Sequence, residues 1–337
     1  MPAPESTGQG LLATWLFCLA LCAAILVALV LVTWGERKLL ARLQNRRGPT
    51  RTGPAGLLQS LADGLKHLAK EDIVPANADR WPFLLAPLIP FVTAFAALAV
   101  IPLGLAALAL PGGAALNPFV ADVNIGLLFI LATSGLGVYG IVLGGYASGN
   151  RYALLGGLRA AAQVISYELI LGLALVGPIL LTGTLSPRAI AAWQQGHPWL
   201  VVVQFPSFIL YLIATLAETN RAPFDLPEAE SELAGGYLIE YSGIRFLFFY
   251  LAEYLNMVVV AAVAATVFLG GAAGPLLPGP LWLALKVAAL LFLAVWIRAT
   301  LPRFRYDQLM GLAWKLLLPL ALLNIVVTAA ARLLAGG

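Results

Sequence analysis

Long apolar runs alternate with polar connections along the whole chain. Eight runs stand out, at 11–34, 82–103, 124–147, 159–181, 199–218, 243–269, 281–301 and 312–332. A helix needs about 20 mostly apolar residues to cross a bilayer, and these runs predict eight such helices. Residues 57–71 have a different pattern. Leu57, Leu58, Leu61, Leu65 and Leu68 fall in one helical arc, with Gln59, Asp63, Lys66 and Lys70 opposite. That pattern predicts a helix lying on the membrane rather than across it. The expected fold is all-α: a polytopic membrane helical bundle of about eight helices plus an interfacial amphipathic helix, forming a single integral membrane domain over 1–337.

Composition supports lipid as the main solvent. Of 337 residues, 61% are hydrophobic and 11% charged, against about 25% charged in a soluble domain. The first ten residues hold no Lys or Arg, so the first run lacks the basic n-region of a signal peptide. Of the 20 Lys and Arg, 17 fall in the four odd-numbered connections and their helix ends. The positive-inside rule then puts those connections in the cytoplasm and both termini outside. The small net charge, without basic–aromatic interleaving, offers no nucleic-acid face. Cys18 and Cys22 are the only cysteines, one helical turn apart, and read as small packing residues. No Cys-x-x-Cys and no Gly-x-Gly-x-x-Gly after a strand is present, so no cofactor is expected on this chain alone. His67 and His197 lack metal spacing and are expected to be solvated.

The polar connections carry the chemistry. The basic segment 36–80 has nine Lys and Arg against five carboxylates, whereas the acidic loop 219–242 has one Arg against five. Opposite fields predict that the two face each other or share a partner. Lys66 and Lys70 also suit lipid head groups. Asp225-Leu-Pro reads as a helix start, with Asp as cap and Pro in the first turn. Within the apolar runs, Glu168 and Glu253 are each expected roughly 14–15 Å from the inner end of their helix. A charge there costs about 2.5–3.5 kcal/mol even on lenient scales. Either each Glu is neutral or Arg-paired and only locks helices, or it titrates. Two acids at matching depth without as many buried bases favour titration. Glu36 and Glu218 are expected at the inner ends of the first and fifth helices, which would make a four-carboxylate ladder.

Two long motifs carry a family resemblance. Glu36-Arg-Lys-Leu-Leu-Ala-Arg-Leu-Gln-Asn-Arg-Arg-Gly-Pro-Thr50, followed by Gly53-Pro-Ala-Gly-Leu-Leu-Gln59 and Asp63-Gly-Leu-Lys66, closely resembles the H-subunit (subunit 1) family of proton-pumping NADH:quinone oxidoreductase, complex I. The stretch from Ala217 to Tyr237 resembles the second signature of that family. The resemblance implies a membrane subunit that encloses a quinone tunnel, with flavin and iron–sulfur clusters in partner subunits and quinone as substrate. It implies that Glu36, Arg37, Arg46, Asp63 and Lys66 line the tunnel entrance. Glu218, Glu228, Glu230, Glu232 and Glu240 would form the acidic link, continued by Glu168 and Glu253. Implied partners are the hydrophilic quinone-site and iron–sulfur subunits, small membrane subunits, antiporter-like subunits and the lipid bilayer. Two rivals share parts of this pattern: the membrane subunit of an energy-converting hydrogenase, and a stand-alone proton-coupled transporter.

Overall fold

A computed structural model describes residues 8–104, 108–109, 115–116, 119–227, 230–275 and 277–336. In chain order the helices are α1 Gly8–Leu43, α2 Gln59–Ala69, α3 Arg80–Leu85, α4 Leu88–Leu98, α5 Gly126–Ala147, α6 Arg151–Thr182, α7 Pro187–Trp193, α8 Leu200–Val203, α9 Phe205–Glu218, α10 Glu230–Leu233, α11 Gly243–Phe268, α12 Gly279–Thr300, α13 Tyr306–Gly311 and α14 Leu318–Gly336. A π-helical segment, Leu312–Leu317, joins α13 to α14. A two-residue antiparallel ladder, β1 Leu108–Ala109 with β2 Ala115–Leu116, lies in the second connection. Among the described residues, seven spans are long and apolar enough to cross a membrane, with α3–α4 and α13–α14 each counting as one. The chain is a multi-pass helical membrane protein.

Several helix limits differ from the sequence expectation, each for a local reason. α1 runs nine residues beyond Trp34, through Glu36-Arg37-Lys38, to Leu43. Charge ends an apolar run, but Glu, Arg and Lys are good helix formers. The helix closes where Asn45 turns left-handed (φ 56°) and the Arg46 N–H donates to the Ala41 carbonyl at 2.8 Å. α6 begins at Arg151, not 159, because the Asn150 side chain caps it by accepting from the Tyr152 N–H at 2.9 Å. Its first two turns therefore stand in the polar end of the bundle. The fifth run is not one long helix. The backbone breaks at Gln204 (φ −117°, ψ 41°), leaving α9 with 14 residues and Pro206 in its first turn. The fold class stands, with seven long spans and one shorter apolar helix.

α6 and α11 form the centre. α6 packs on α5, α9 and α14; α11 packs on α4, α9 and α12. Half of the apolar window of each is buried, against 11% for α1. α1, α12 and α14 thus present leucine, valine and tryptophan outward, as bilayer-facing helices do. α2 keeps Leu61, Leu65 and Leu68 exposed along one side, with Leu58 just before it, as expected of an interfacial helix. His67 is not simply solvated: it stacks on Phe246 at 5.5 Å. His197 stacks on Trp193 at 3.9 Å.

Candidate functional site

The basic connections gather at one end of the bundle and form a charged crown. Arg37 of α1 pairs with Asp63 of α2, and Gln59 donates to the other Asp63 oxygen at 3.0 Å. Burial pushes the Asp63 carboxyl up, but the bonds from Arg37 and Gln59 outweigh it and hold the group below the usual carboxylate range. Lys66 lies close enough to add to that field. Arg46 bonds Gln44 at 2.8 Å and joins Arg37, Arg47 and Pro49 around an open basin of about 310 Å³. Arg245, at the start of α11, pairs with Asp72 at 3.1 Å. The basic segment therefore docks on the segment after the acidic loop.

The acidic loop is pinned at many points. Buried Gln163 of α6 donates to the carbonyls of Ala217 and Phe224, both at 2.7 Å. The Phe304 N–H donates to the Pro223 carbonyl at 3.1 Å. Gly156 lets the loop lie flat on α6: a Cβ there would stand 2.7 Å from the Tyr237 nitrogen. Asp225 does not start a helix, contrary to the sequence expectation. Residues 226–227 form a turn, because Arg303 donates to the Asp225 carbonyl and Leu226 is buried. Glu232 pairs with Arg159 at 2.6 Å, and Arg159 holds its carboxyl below the usual range. Glu240 accepts from Asn150 at 2.7 Å. Glu228 lies outside the described residues, and Glu230 is described in its backbone alone.

Beneath the crown the carboxylates fall into two groups. In the first, Glu36 and Glu253 face Arg221 and Arg298. Arg298 donates to Glu36 Oε1. Arg221 Nη1 lies 3.4 Å from the same oxygen, and its Nε lies 2.7 Å from Glu253 Oε1. Tyr254 donates to Glu36 Oε2 at 2.6 Å, and the Arg221 guanidinium sits over the Tyr254 ring at 4.4 Å. The Glu36 side chain is 3% exposed and that of Arg221 8%. Glu36 is thus not at a helix end but about two turns inside α1. Glu253 is paired with a buried base, Arg221, the Arg-paired alternative of the two that the sequence left open.

The second group has no cation paired to it among the described residues. Glu168 rests in a slot on α5, where a Cβ on Gly135 would meet its Oε1 at 2.6 Å. Glu218 lies within coulombic reach of Glu168 and contacts Ser134; its Oε2 is buried without a partner among the described residues. Glu218 and Glu253 both line a cavity of about 70 Å³, with Ser134, Thr93, Asn220 and Asn256. A single water needs roughly 10–15 Å³ on this measure, so the space holds several. The structure joins Glu36, Glu253, Glu218 and Glu168 in one continuous region. It leaves Glu232 and Glu240 in the crown, outside that cavity.

Sequence reasoning missed Arg221, Arg298 and Tyr250 as members of the site, and had Tyr254 only as the neighbour of Glu253. Arg221 and Arg298 were visible only as topology markers. A tyrosine beside a membrane glutamate, as in Glu253-Tyr254, was the available signal. Among the described residues no three His, Cys, Asp or Glu stand close enough to hold a metal ion.

Fold and site together define a class: a polytopic helical membrane protein with paired and unpaired carboxylates, buried or half-buried, below a charged crown. A family model described as NADH dehydrogenase matches residues 16–329. The H subunit of NADH-quinone oxidoreductase from Thermomicrobium roseum is 57% identical over 334 residues, covering 96% of this chain and 97% of that relative. Subunit 8 of NADH-quinone oxidoreductase from Thermus thermophilus is 51% identical, covering 92% and 84%. The H subunit from Rhodospirillum rubrum is 46% identical, covering 93% and 91%. The chain belongs to the H-subunit family of NADH-quinone oxidoreductase, and is a membrane subunit of that oxidoreductase complex.

Proposed function

We propose that this subunit forms the membrane side of a quinone tunnel and couples quinone reduction to proton translocation. The observation that carries the reading is continuity. Asp63, Arg37, Tyr250, Tyr254, Glu36, Arg221 and Glu253 make successive contacts from the basin to the cavity. The basin lined by Arg37, Arg46 and Arg47 sits at the end of α1 that packs on α2, whose leucines are exposed. A quinone has an apolar isoprenoid tail and a polar head, and such a margin suits both. Lys66 and the Arg37–Asp63 pair supply charge and hydrogen bonds where the head passes.

Reduction of the head adds electrons and draws protons, so it changes the field at the crown. Buried carboxylates respond as a coupled set rather than singly. Glu253, Glu218 and Glu168 then carry the change inward, with cavity water between them. The crown, including Glu232 and Glu240, is the docking face for the hydrophilic subunits that hold flavin and iron–sulfur clusters. The exposed flanks face lipid, small membrane subunits and antiporter-like subunits. The crown lies in the cytoplasm and both termini in the periplasm of a bacterial inner membrane.

The test uses the assembled complex in proteoliposomes. Glu253→Gln and Glu168→Gln are expected to lower protons moved per quinone reduced. Unchanged pumping in both would sink the coupling role. Arg37→Ala is expected to raise the KM for quinone, and an unchanged KM would remove Arg37 from the entrance.

A further inference from the structure

The chain leaves α9 through Asn220, which adopts a left-handed conformation (φ 50°). That turn directs the Arg221 side chain between α1 and α11. Its backbone is held on both sides: the N–H reaches the Leu216 carbonyl at 3.4 Å, and the carbonyl accepts from Phe224 at 2.8 Å. The guanidinium is held far less firmly. It has five N–H donors, yet Nε and Nη2 are buried without a hydrogen bond among the described residues, Nε meeting Glu253 only as an ion pair. Its contact with Glu36 is long at 3.4 Å, while Arg298 already occupies the same oxygen. Its contact with Glu253 is short at 2.7 Å. The Tyr254 ring lies against the planar group at 4.4 Å.

Two carboxylates and two guanidiniums make the cluster formally neutral. Arg298 is committed to Glu36; Arg221 touches both acids. The other close groups have their own places: Tyr254 bonds Glu36, Tyr250 bonds Tyr254 at 3.0 Å, and Asp225 acts on Glu253 from the loop. Glu36 and Arg298 also act on Glu253 through space, but Arg221 is the cation in contact with both acids among the described residues, so a charge change on the Glu36 side reaches Glu253 by contact through it.

We propose that Arg221 is a positioning residue for proton coupling, a guanidinium shared by Glu36 and Glu253 whose lean decides whether Glu253 carries a proton. This rests on the coupling function proposed above and adds the device that links its two ends. Negative charge gained on the Glu36 side draws Arg221 toward Glu36. Glu253 loses its counter-cation and takes a proton from cavity water onto a carboxylate oxygen. When that negative charge is cancelled, Arg221 returns to Glu253 and the proton leaves to the cavity. Arg221 stays protonated throughout. The displacement needed is small, since both carboxylates already lie within 3.4 Å of the same side chain.

The experiment compares Arg221→Gln, Arg221→Lys, Glu253→Gln and the Arg221→Gln/Glu253→Gln pair in the assembled complex in proteoliposomes. Quinone reduction and proton uptake are recorded together, and redox-induced infrared difference spectra follow protonated carboxyl groups. Arg221→Gln is expected to lower protons moved per quinone by on the order of fivefold, the lower range for coupling between sites. The Glu253 carboxyl band should vanish from the difference spectrum, and the double variant should lose no more than either single one. Arg221→Lys keeps a cation in case the Gln variant fails to assemble. Its compact ammonium cannot bridge two acids as the planar fork does, so the ratio falls there too. An assembled Arg221 variant with an unchanged ratio, or losses that multiply in the double variant, would overturn the proposal. If Glu253→Gln and Glu168→Gln both leave the ratio intact, the coupling function falls; if Glu253→Gln alone does, the proposal for Arg221 falls. If Glu253→Gln lowers the ratio and the Arg221 variants do not, only the role of Arg221 falls.

Discussion

Two pairs of glutamates share one helical bundle and meet burial in opposite ways. Glu36 and Glu253 are compensated: Arg298, Arg221 and Tyr254 surround them. Glu168 and Glu218 have no paired cation among the described residues and sit against Gly135, Ser134 and a small cavity. A compensated buried charge is costly to break, because removing one partner orphans the other in low dielectric. An uncompensated acid has a cheaper route, which is to hold a proton. On the coupling function proposed above, the first pair is a sensor of charge and the second a store of protons. Their contact through the shared cavity makes the contrast useful, since a change at the first has somewhere to go.

Breaking the compensated group gives the largest expected effect. Glu36→Ala leaves Arg298 and Arg221 facing each other without their common anion. It should destabilise by about 3–5 kcal/mol, read as a fall in the melting temperature of the detergent-solubilised complex or as loss of assembly. Gly135→Ala tests the uncompensated group next. The added methyl would stand 2.6 Å from Glu168 Oε1, so the carboxylate must move; as the end of a flexible side chain it can, and the cost stays at the low end of overpacking, about 1 kcal/mol. Thermal unfolding reports that cost, and proton uptake should fall with it. Glu168→Gln is expected to leave the melting temperature unchanged or raise it, because it orphans no cation. A destabilisation as large as that of Glu36→Ala would erase the contrast between the two groups.

The crown supplies the smallest effects. Arg159→Gln breaks a solvent-exposed pair with Glu232 and should cost about 0.2–1 kcal/mol, with no change in turnover. The Asp63–Arg37 pair gives a pH test with a definite sign. The Asp63 carboxyl is depressed in the folded state, so its contribution is present above the ordinary carboxylate range. It is lost only as pH falls through the depressed value. Stability contributed by this pair should be flat around neutral pH and decline in acid. In Asp63→Asn that acid-side decline should shrink, as a melting-temperature profile against pH would show.

Most of the fold was legible from periodicity and charge. The apolar runs located the spans, and the leucine arc of 57–71 located the interfacial helix, because side-chain spacing maps directly onto a helix face. Helix ends were less legible. Apolar runs stop at charges such as Glu36 and Arg159, whereas helices stop at caps such as Asn45 and Asn150. The break at Gln204 left no signal in hydropathy at all.

For the site, the sequence by itself determined which residues are ionisable and which of them lie in apolar surroundings: Glu36, Glu168, Glu218 and Glu253. It also determined the family, since the long motifs in the first inner segment and the acidic loop are covalent facts. Only the tertiary structure decided how those acids are divided. Arg221 lies 185 positions from Glu36, and Arg298 lies 262 away. No local pattern can announce such pairings. Electrostatic energy depends on separation in space and on the solvent excluded around each charge, and both are products of packing. One-dimensional order placed four similar glutamates in a membrane. The packing of α1, α9, α11 and α12 gave two of them counter-charges, and the packing of α5 on α6 left the others without.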